Sequence, residues 1–321
     1  MESIATEGHE FYRMPILIIG YCRPIEFKRI AEQIEELPSR KISISLDGPK
    51  LGQQLLTDEV LLIANRWKEV SKHKISISRA EMNLGLLTHF TTALKSFFSE
   101  HEFGLILEDD MEFRPEFIEY LDTDLARKVL LKYFSICGHN PLQKNDLSCK
   151  GQSEQIEFFE TAVHTIWGWA ASRSSIDHFL DISYIKSKDS TYLFDTIEKF
   201  SKSLTIDSVF RHSINKNWSR KIQRAVNSEN PNWDNFWEIA GWSSGKFSIM
   251  PRYSLSRENP QFFGVQTHRH STNVTSWNSI SKFSISNLIS QRSRRVDQSL
   301  VAVWGNNRFR AYKDFVRQIL A

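Results

Sequence analysis

The sequence predicts an α/β protein built on a largely parallel sheet with helices on both faces. Short β-rich runs alternate with helical stretches through the first 140 residues, and this alternation is typical of parallel sheets. The 321 residues are 40% hydrophobic and 25% charged, a composition that excludes collagen, coiled coil and wholesale disorder. Cys22, Cys137 and Cys149 lack the C-x-x-C spacing of zinc sites and are expected to be reduced thiols.

Four predicted strands organise the first half of the chain. The apolar run 14–22 predicts a buried strand, and Pro24 predicts the start of a helix that ends near Leu37. The remaining elements of this half are a strand at 41–47 that ends in an Asp-Gly-Pro turn, a helix through Leu55, Ile63 and Trp67, a strand at 74–78, a helix at 83–98 and a strand at 103–110. Ligands gather at the carboxyl ends of parallel strands, so polar residues there are candidates for a site.

The second half is less regular, and no repeat or linker separates it from the first. Its predicted elements are a strand at 134–138, mixed strand and aromatic turn at 156–172, helices at about 173–182, 190–203 and 205–227, a β-like segment at 247–256 and a loop-rich segment at 257–273. We therefore predict one unit whose halves span 1–140 and 141–279, followed by a C-terminal tail at 280–321.

The tail 280–321 is basic, with eight Lys or Arg against two Asp or Glu. Apolar residues recur in it at helical spacing, namely Tyr312, Phe315, Val316, Ile319 and Leu320. Two interpretations stay open: a helix that packs on the core, or a peripheral contact with anionic lipid. The net charge of +3 gives no case for a nucleic-acid partner. Without a signal-like N-terminus or an apolar run of about 20 residues, we expect a cytoplasmic location, with the inner membrane face as the site of any lipid contact.

Three consecutive carboxylates follow the apolar strand Gly-Leu-Ile-Leu. Glu108, Asp109 and Asp110 repel one another, and at the end of a buried strand this repulsion is costly unless a cation neutralises it. Hard oxygen ligands suit Mn²⁺ or Mg²⁺. Strand alternation places Asp109 on the opposite side from its two neighbours. The pattern alone leaves a solvated acidic turn open as the alternative.

Other polar residues accompany these carboxylates in a recognisable order. Arg23 follows the first strand, Asp47 ends the second, and an Asn-Leu-Gly turn begins at Asn83. On these residues the sequence resembles the GT-A fold nucleotide-sugar glycosyltransferases, and more closely the N-acetylglucosaminyltransferase I-like group, from about Pro15 to His270. The segment 105–121 is similar to that group's metal motif.

The resemblance implies a GT-A, Rossmann-like fold of mostly parallel mixed sheet flanked by helices, with an irregular acceptor-side second half. It implies that 1–140 is the nucleotide-sugar-binding half and that 141–279 is the acceptor and catalytic half of the same unit. It also implies a UDP-sugar donor and a bound Mn²⁺ or Mg²⁺, with Asp110 as the metal ligand. The residues that it assigns to the nucleotide sugar here are Arg23, Asp47, Asn83, Glu108 and Asp109. The residue pattern alone leaves a surface ion pair open for Arg23.

An aromatic turn supplies the next candidates. Trp167 and Trp169 flank Gly168, and the resemblance assigns this Gly-Trp element to the donor-sugar and acceptor pocket. Indole faces suit the C–H faces of a pyranose. Packing of both tryptophans in the core is the alternative.

Asp234 is the first candidate for a catalytic base, because an inverting transfer needs a carboxylate that takes the proton of the acceptor hydroxyl. It lies between Trp233 and Asn235 and resembles the catalytic Asp of a W-D-D-W element, although W-D-N-F-W is one residue longer. Glu238, one helical turn further on, is the second candidate. A helix N-cap is the structural alternative for Asp234.

His268 completes the candidate residues. It lies in the segment 262–270, which resembles the family's G-V-S-H-like loop and implies contact with the diphosphate or the metal; His270 follows beside it.

The sequence thus predicts a metal-dependent, inverting glycosyltransferase that moves a hexosyl or N-acetylhexosaminyl group from a UDP-sugar to a hydroxyl of a glycan or lipid-linked acceptor, in polysaccharide biosynthesis. The alternatives are a sugar-nucleotide nucleotidyltransferase, disfavoured because the first loop has no glycine after Gly20, and a non-catalytic carbohydrate-binding protein. The motifs of P-loop kinases and zinc proteases are missing from the sequence.

Overall fold

A computed structural model describes residues 12–141, 155–184, 189–205, 207–228, 231–258, 284–290 and 297. Within these ranges the chain forms one mixed sheet of nine strands with helices on both faces, and a separate two-stranded sheet. The predicted α/β class is therefore confirmed, and the architecture is compatible with a Rossmann-like fold.

The first half follows the predicted alternation closely. Its elements are β1 (Ile16–Gly20), α1 (Pro24–Glu35), β2 (Lys41–Leu46), α2 (Gln54–Val70), β3 (Lys74–Arg79), α3 (Leu86–Glu100) and β4 (Phe103–Glu108). Helix α3 begins three residues later than predicted because Gly85, just before it, has a φ of 80°, which lies outside the helical region. Strand β4 ends at Glu108, so the two aspartates begin the following turn.

The second half contains more elements than the sequence predicts. They are β5 (Met111–Phe113), α4 (Pro115–Leu121), α5 (Asp124–Lys132), β6 (Ser135–Cys137), β7 (Gln155–Thr161), β8 (Trp169–Ser172), α6 (Arg173–Tyr184), α7 (Ser190–Leu204), α8 (Ser208–Val226), α9 (Trp233–Ser244), β9 (Ser248–Pro251), β10 (Ser256–Glu258) and β11 (Ser284–Ser290). The predicted second-half helices match α6, α7 and α8. The sequence patterns missed β5 and α4, which lie within the segment that suggested a metal motif, and α5, which follows that segment.

The order of the strands points to a candidate binding region at the carboxyl ends of β1 and β4. The large sheet runs β11-β7-β9-β6-β8-β4-β1-β2-β3. Strands β2 and β4 are both parallel to β1, on its two sides, and β8 is antiparallel to β4. The chain moves outward from β1 to β3 and then returns to the other side of β1, so the strand order reverses between β1 and β4. In open α/β sheets ligands bind at such a reversal, beyond the carboxyl ends of the strands.

Alternate residues of β1 contribute to two hydrophobic cores, one on each face of the sheet. Ile16 and Ile18 pack with apolar residues of α1, α2, α4 and α5. Leu17 and Ile19 pack with apolar residues of α3, α6, α7, α8 and α9. All four side chains are at most 7% exposed. Burial of a strand on both faces explains the continuous apolar run in the sequence.

Part of the predicted C-terminal tail belongs to the main fold. Strand β11 pairs in parallel with β7 at the edge of the large sheet. Asp297 is fully buried and accepts hydrogen bonds from the Thr161 hydroxyl and the Ala162 N–H. The predicted boundary at 280 therefore does not separate a tail from the body at these residues, and the amphipathic stretch 312–320 lies outside the described residues. No helix in the described ranges is long and apolar enough to cross a bilayer.

Candidate functional site

Backbone hydrogen bonds fix the acidic residues at the carboxyl ends of β1 and β4. The Asp109 N–H donates to the Ile19 carbonyl at 3.1 Å, which extends the pairing of the two strands by one residue. The Tyr21 N–H donates to Asp109 Oδ2 at 2.9 Å. The carboxylate of Asp109 is therefore held beneath the loop after β1, where its side chain is 4% exposed.

Arg23 forms ion pairs with both aspartates. Its Nη1 donates to Asp109 Oδ1 at 3.0 Å and makes a short contact with Asp110 Oδ2. The Arg23 side chain is 20% exposed and that of Asp110 is 13% exposed. Burial lowers the pKa of Arg23, but Asp109 and Asp110 together raise it above its ordinary value. Arg23 therefore lies at the predicted position, and its contacts are with the acidic residues.

Two carboxyl groups at this edge have raised pKa values. Burial, followed by repulsion from Asp110, raises the pKa of Glu108 from 4.5 to about 8, although Arg23 opposes the shift. Burial also raises the pKa of Asp109 to about 6, again against the effect of Arg23. Strongly perturbed carboxylates in a crevice are typical of functional sites.

Two further carboxylates reach this edge from the second half of the chain. Asp234, in the first turn of α9, is near enough for its charge to raise the pKa of Glu108. Glu258 pairs across β10 and β5 with Met111, the residue after Asp110. Burial and the charge of Asp110 raise the pKa of Glu258. We call Arg23, Glu108, Asp109, Asp110, Asp234 and Glu258 the carboxyl-edge cluster.

Glu258 is a member that the sequence analysis missed. The sequence analysis places Glu258 in the loop-rich segment 257–273 and gives it no role. Its partner strand β5 was not predicted, so nothing in the sequence placed it next to Asp110.

The donor chemistry of the cluster suits Mn²⁺ or Mg²⁺, which prefer carboxylate oxygens. Within the described residues, no group of three His, Cys, Asp or Glu side chains is arranged to hold a metal ion. Magnesium is commonly bound through one or two carboxylates together with substrate phosphates. The cluster fits that mode, with Asp110 as the predicted protein ligand. His268 and His270 lie outside the described residues.

Asp47 and Asn83 bind each other at the ends of β2 and β3. Asp47 Oδ1 accepts the N–H groups of Gly48 and Leu84, each at 2.8 Å, and Oδ2 accepts the Asn83 amide at 2.9 Å. Asp47 is only 5% exposed. These bonds join the loops that follow the two strands, and the predicted uracil contact of Asp47 stays a prediction.

The two predicted pocket tryptophans lie in different surroundings. Trp169 is 1% exposed, and its ring is 4.2 Å from that of Trp237 and 6.1 Å from that of Trp233. Trp167 is partly exposed and packs edge-on against His139 at 4.5 Å. The geometry therefore favours a core role for Trp169 and leaves Trp167 as the pocket candidate.

Gly168, between the two tryptophans, allows the backbone conformation that places their side chains in different surroundings. Its φ is 69°, and an added Cβ would lie 2.8 Å from Ser256. The Ser256 hydroxyl donates to the carbonyls of Trp167 and Gly168. A glycine is therefore required where β10 passes closely over the turn.

The two acid/base candidates on α9 also differ in their surroundings. Asn232 occupies the N-cap, so Asp234 is not the capping residue, and its Oδ1 accepts the Asn235 N–H at 2.8 Å. Asp234 is partly exposed, whereas Glu238 is 1% exposed and accepts the His164 N–H at 3.2 and 3.3 Å. Asp234 is thus the candidate that combines access to solvent with proximity to Glu108. Glu238 anchors the loop before β8.

Lys221 is a second residue that the sequence analysis missed. It lies on α8 with its ammonium 4.4 Å from the centroid of the Trp218 ring. Burial lowers the pKa of Lys221, while Asp234 and Glu238 act in the opposite direction. A single lysine in an amphipathic helix carries no motif, so only the packing of α8 near α9 identifies it.

The described residues form an α/β protein with a mixed sheet. An acidic cluster, in which one arginine pairs with two aspartates, lies where the strand order of this sheet reverses. No protein-family model matches the chain, and no curated protein matches its sequence.

Proposed function

We propose that the protein is a divalent-metal-dependent, inverting glycosyltransferase that moves a sugar from a UDP-sugar to a hydroxyl of a glycan or lipid-linked acceptor. One observation carries this proposal. Asp234 of α9 lies close enough to Glu108 at the end of β4 to change its pKa, although 126 positions separate the two residues in sequence. This proximity supports a catalytic base and a donor site at the same end of the sheet.

Asp234 is the proposed base. It takes the proton of the acceptor hydroxyl as the oxygen bonds to the anomeric carbon, and the bond from that carbon to the diphosphate breaks with its electron pair on the diphosphate. Lys221 contributes positive charge near Asp234, which favours the ionised, proton-accepting carboxylate. Glu238 positions the loop before β8 through the His164 N–H.

The donor side is proposed to lie over β1 and β4. Asp110 is the proposed metal ligand, and the metal would stabilise the negative charge that develops on the leaving diphosphate. Arg23 supplies a guanidinium suited to phosphate oxygens. Asp47 and Asn83 hold the loops after β2 and β3 in register with each other, next to the proposed nucleotide.

Binding of UDP measured by calorimetry with and without Mn²⁺ tests the donor site. We expect binding that requires Mn²⁺ and is abolished by Asp110→Ala. Asp58→Ala, at an exposed carboxylate of α2, is the matched control and should bind as the wild type does. Absence of Mn²⁺-dependent UDP binding in the folded wild type would refute the proposal and leave a carbohydrate-binding protein as the better interpretation.

Asp234→Asn tests the base separately from the donor site. A thermal-shift screen of nucleotide sugars with Mn²⁺ first identifies the donor. With that donor, the variant should bind UDP as the wild type does while its turnover falls by about 10³-fold, since general bases contribute about 10²–10⁴-fold. Retained turnover would exclude Asp234 as the base. Formation of a nucleotide sugar from UTP and a sugar phosphate would favour the nucleotidyltransferase instead.

A further inference from the structure

Helix α8 carries charge of one sign only. Its 19 residues include five lysines or arginines and no aspartate or glutamate. Helices α1 and α7 differ from it, because each contains an attractive pair four residues apart, Lys28 with Glu32 and Glu198 with Lys202. Attractive pairs at this spacing stabilise an exposed helix, and like charges at this spacing destabilise it.

Three of the five cations form one exposed line. Lys216, Arg220 and Arg224 are exposed and follow one another at intervals of four residues, which corresponds to about 6 Å along one side of the helix. Only Arg224 lies in the last turn, where the helix dipole favours a cation. In the part of the chain that the structure describes, no carboxylate forms an ion pair with these residues. We call the three residues the basic face of α8.

The apolar side of α8 packs into the core. Phe210, Ile214, Trp218 and Ile222 are at most 7% exposed. A helix that lies in a bilayer surface inserts its apolar side, and in α8 that side already contacts the rest of the protein. The basic face therefore fits a partner that binds through charge, such as an anionic polymer, better than it fits insertion into lipid.

The basic face leads towards the candidate base. Trp218 packs edge-on against Trp242, near the end of α9, with ring centroids 4.7 Å apart. Burial lowers the pKa of Lys221 and the nearby charge of Asp234, in the first turn of α9, opposes this shift. The later residue of α8 thus lies near the earlier residue of α9, so the two helices run in opposite directions. Arg224 is therefore at the end of the pair that carries Asp234.

We infer that the basic face of α8 binds an acidic glycan, a chain with repeated carboxylate or phosphate groups, and directs it towards Asp234 as the acceptor. This inference rests on the proposed function and deepens it, because it names the class of acceptor. The regular spacing of the three cations complements a linear polyanion. The carboxyl-edge cluster is acidic, so cations on α8 are what hold such a chain close to it.

Polygalacturonate, a carboxylated glycan, is the probe that tests this surface, with neutral dextran of similar length beside it. Binding to the full chain is measured by biolayer interferometry without Mn²⁺, at low and high salt. We expect the wild type to bind polygalacturonate and not dextran. Combined Lys216→Gln, Arg220→Gln and Arg224→Gln should weaken this binding about tenfold at low salt, since each exposed charge pair contributes about two- to fivefold. High salt should reduce the difference.

The matched control combines Arg66→Gln, Lys68→Gln and Lys95→Gln. These residues are exposed on α2 and α3, and their replacement removes the same net charge from other helices. This variant should bind polygalacturonate within about twofold of the wild type. Circular dichroism checks folding, which the loss of like-charged pairs should not impair. Arg220→Gln alone, with an expected loss of about threefold, replaces the combined α8 variant if that variant does not fold.

The outcomes separate this inference from the function on which it rests. Weaker binding of polygalacturonate by the folded α8 variant than by the control variant supports the inference. Equal binding by the two variants, or no binding by the wild type, overturns it. Stronger binding of the wild type to vesicles of phosphatidylglycerol and phosphatidylcholine in equal parts overturns it in favour of a membrane contact.

Calorimetry with UDP and Mn²⁺ on the same proteins tests the proposed function independently. Mn²⁺-dependent UDP binding without polygalacturonate binding leaves the glycosyltransferase standing and removes the acidic acceptor. Polygalacturonate binding through α8 without any UDP binding overturns the glycosyltransferase and leaves α8 as the surface of a carbohydrate-binding protein.

Discussion

Buried charges are paired differently at the two ends of the parallel strands. At the amino end, Asp122 receives two hydrogen bonds from Arg40, at 3.1 and 3.2 Å, one from Arg13 at 3.3 Å and one from the Met14 N–H at 2.8 Å. One carboxylate there meets two guanidinium groups and a backbone donor. At the carboxyl end, Arg23 pairs with two of the five carboxylates of the carboxyl-edge cluster.

This difference separates a structural ion pair from a candidate site. Arg40 has a fully buried side chain, and its geometry satisfies both oxygens of Asp122, so nothing is left for a ligand to neutralise. The carboxyl-edge cluster raises the pKa of Glu108 and Asp109 instead. Burial and mutual repulsion of these carboxylates are destabilising, and a cationic ligand would relieve the repulsion.

Removal of Arg40 from its buried ion pair with Asp122 should have the largest effect on stability. Arg40→Met leaves Asp122 buried with a partial set of partners, so we expect a loss of about 4 kcal/mol in the free energy of unfolding, as is usual for a broken buried ion pair. Urea unfolding followed by circular dichroism measures it. Arg40→Met combined with Asp122→Leu should recover most of the loss, because no charge is then stranded. A loss below about 1 kcal/mol in the single variant would contradict the structural role assigned to the Arg40–Asp122 pair.

The sequence predicted the amino-terminal half well because its signals are local. The apolar runs of β1 and β4, and Pro24 at the start of α1, determine structure within a few residues of themselves. The residues Arg23, Glu108, Asp109 and Asp110 were brought together because parallel strands bring their carboxyl ends to one edge. This placement required no knowledge of the second half.

Contacts made by distant segments were not predictable in the same way. Glu258 reaches Asp110 only because β10 pairs with β5, and Lys221 approaches Asp234 only through the packing of α8 near α9. Trp167 and Trp169 are equivalent in the sequence pattern, yet the turn at Gly168 leaves them in different surroundings. The sequence does not show which of the two side chains is exposed.

This pair of tryptophans extends the comparison from charge to aromatic packing. Trp169→Phe should cost about 2 kcal/mol, because it opens a cavity among fully packed rings, and should leave the KM for donor and acceptor unchanged. Trp167→Phe should change stability little and raise the KM for acceptor or donor. Urea unfolding and steady-state kinetics measure the two effects. Equal losses of stability in both variants would contradict the assignment of Trp167 to the crevice.

The raised pKa values in the carboxyl-edge cluster should affect how stability depends on pH. The pKa of Glu108 is raised from 4.5 to about 8, so the folded state binds a proton more tightly than the unfolded state. Its contribution to stability is complete below the unfolded pKa and is lost as the pH rises through the folded pKa. The melting temperature should therefore fall between about pH 5 and about pH 9, to which Asp109 adds in the lower part of this range.

Glu108→Gln removes the ionisable group and should flatten this profile. At about pH 8 the variant should be more stable than the wild type, because it keeps the neutral form of the side chain. Glu102→Gln, at a carboxylate that is 54% exposed, is the control and should keep the wild-type slope. An identical slope in Glu108→Gln would show that the cluster is better neutralised than its contacts indicate.

The smallest effect is expected where an ion pair is neither buried nor crowded. Arg79 and Asp58 lie 2.7 Å apart with side chains 20% and 46% exposed, so water already screens both charges. Arg79→Gln should change the free energy of unfolding by less than about 0.5 kcal/mol. Urea unfolding at low and high salt measures the change, which should shrink further as salt screens the pair. A loss as large as that of Arg40→Met would mean that the distance between the charges, rather than their burial, determines how much an ion pair contributes to stability.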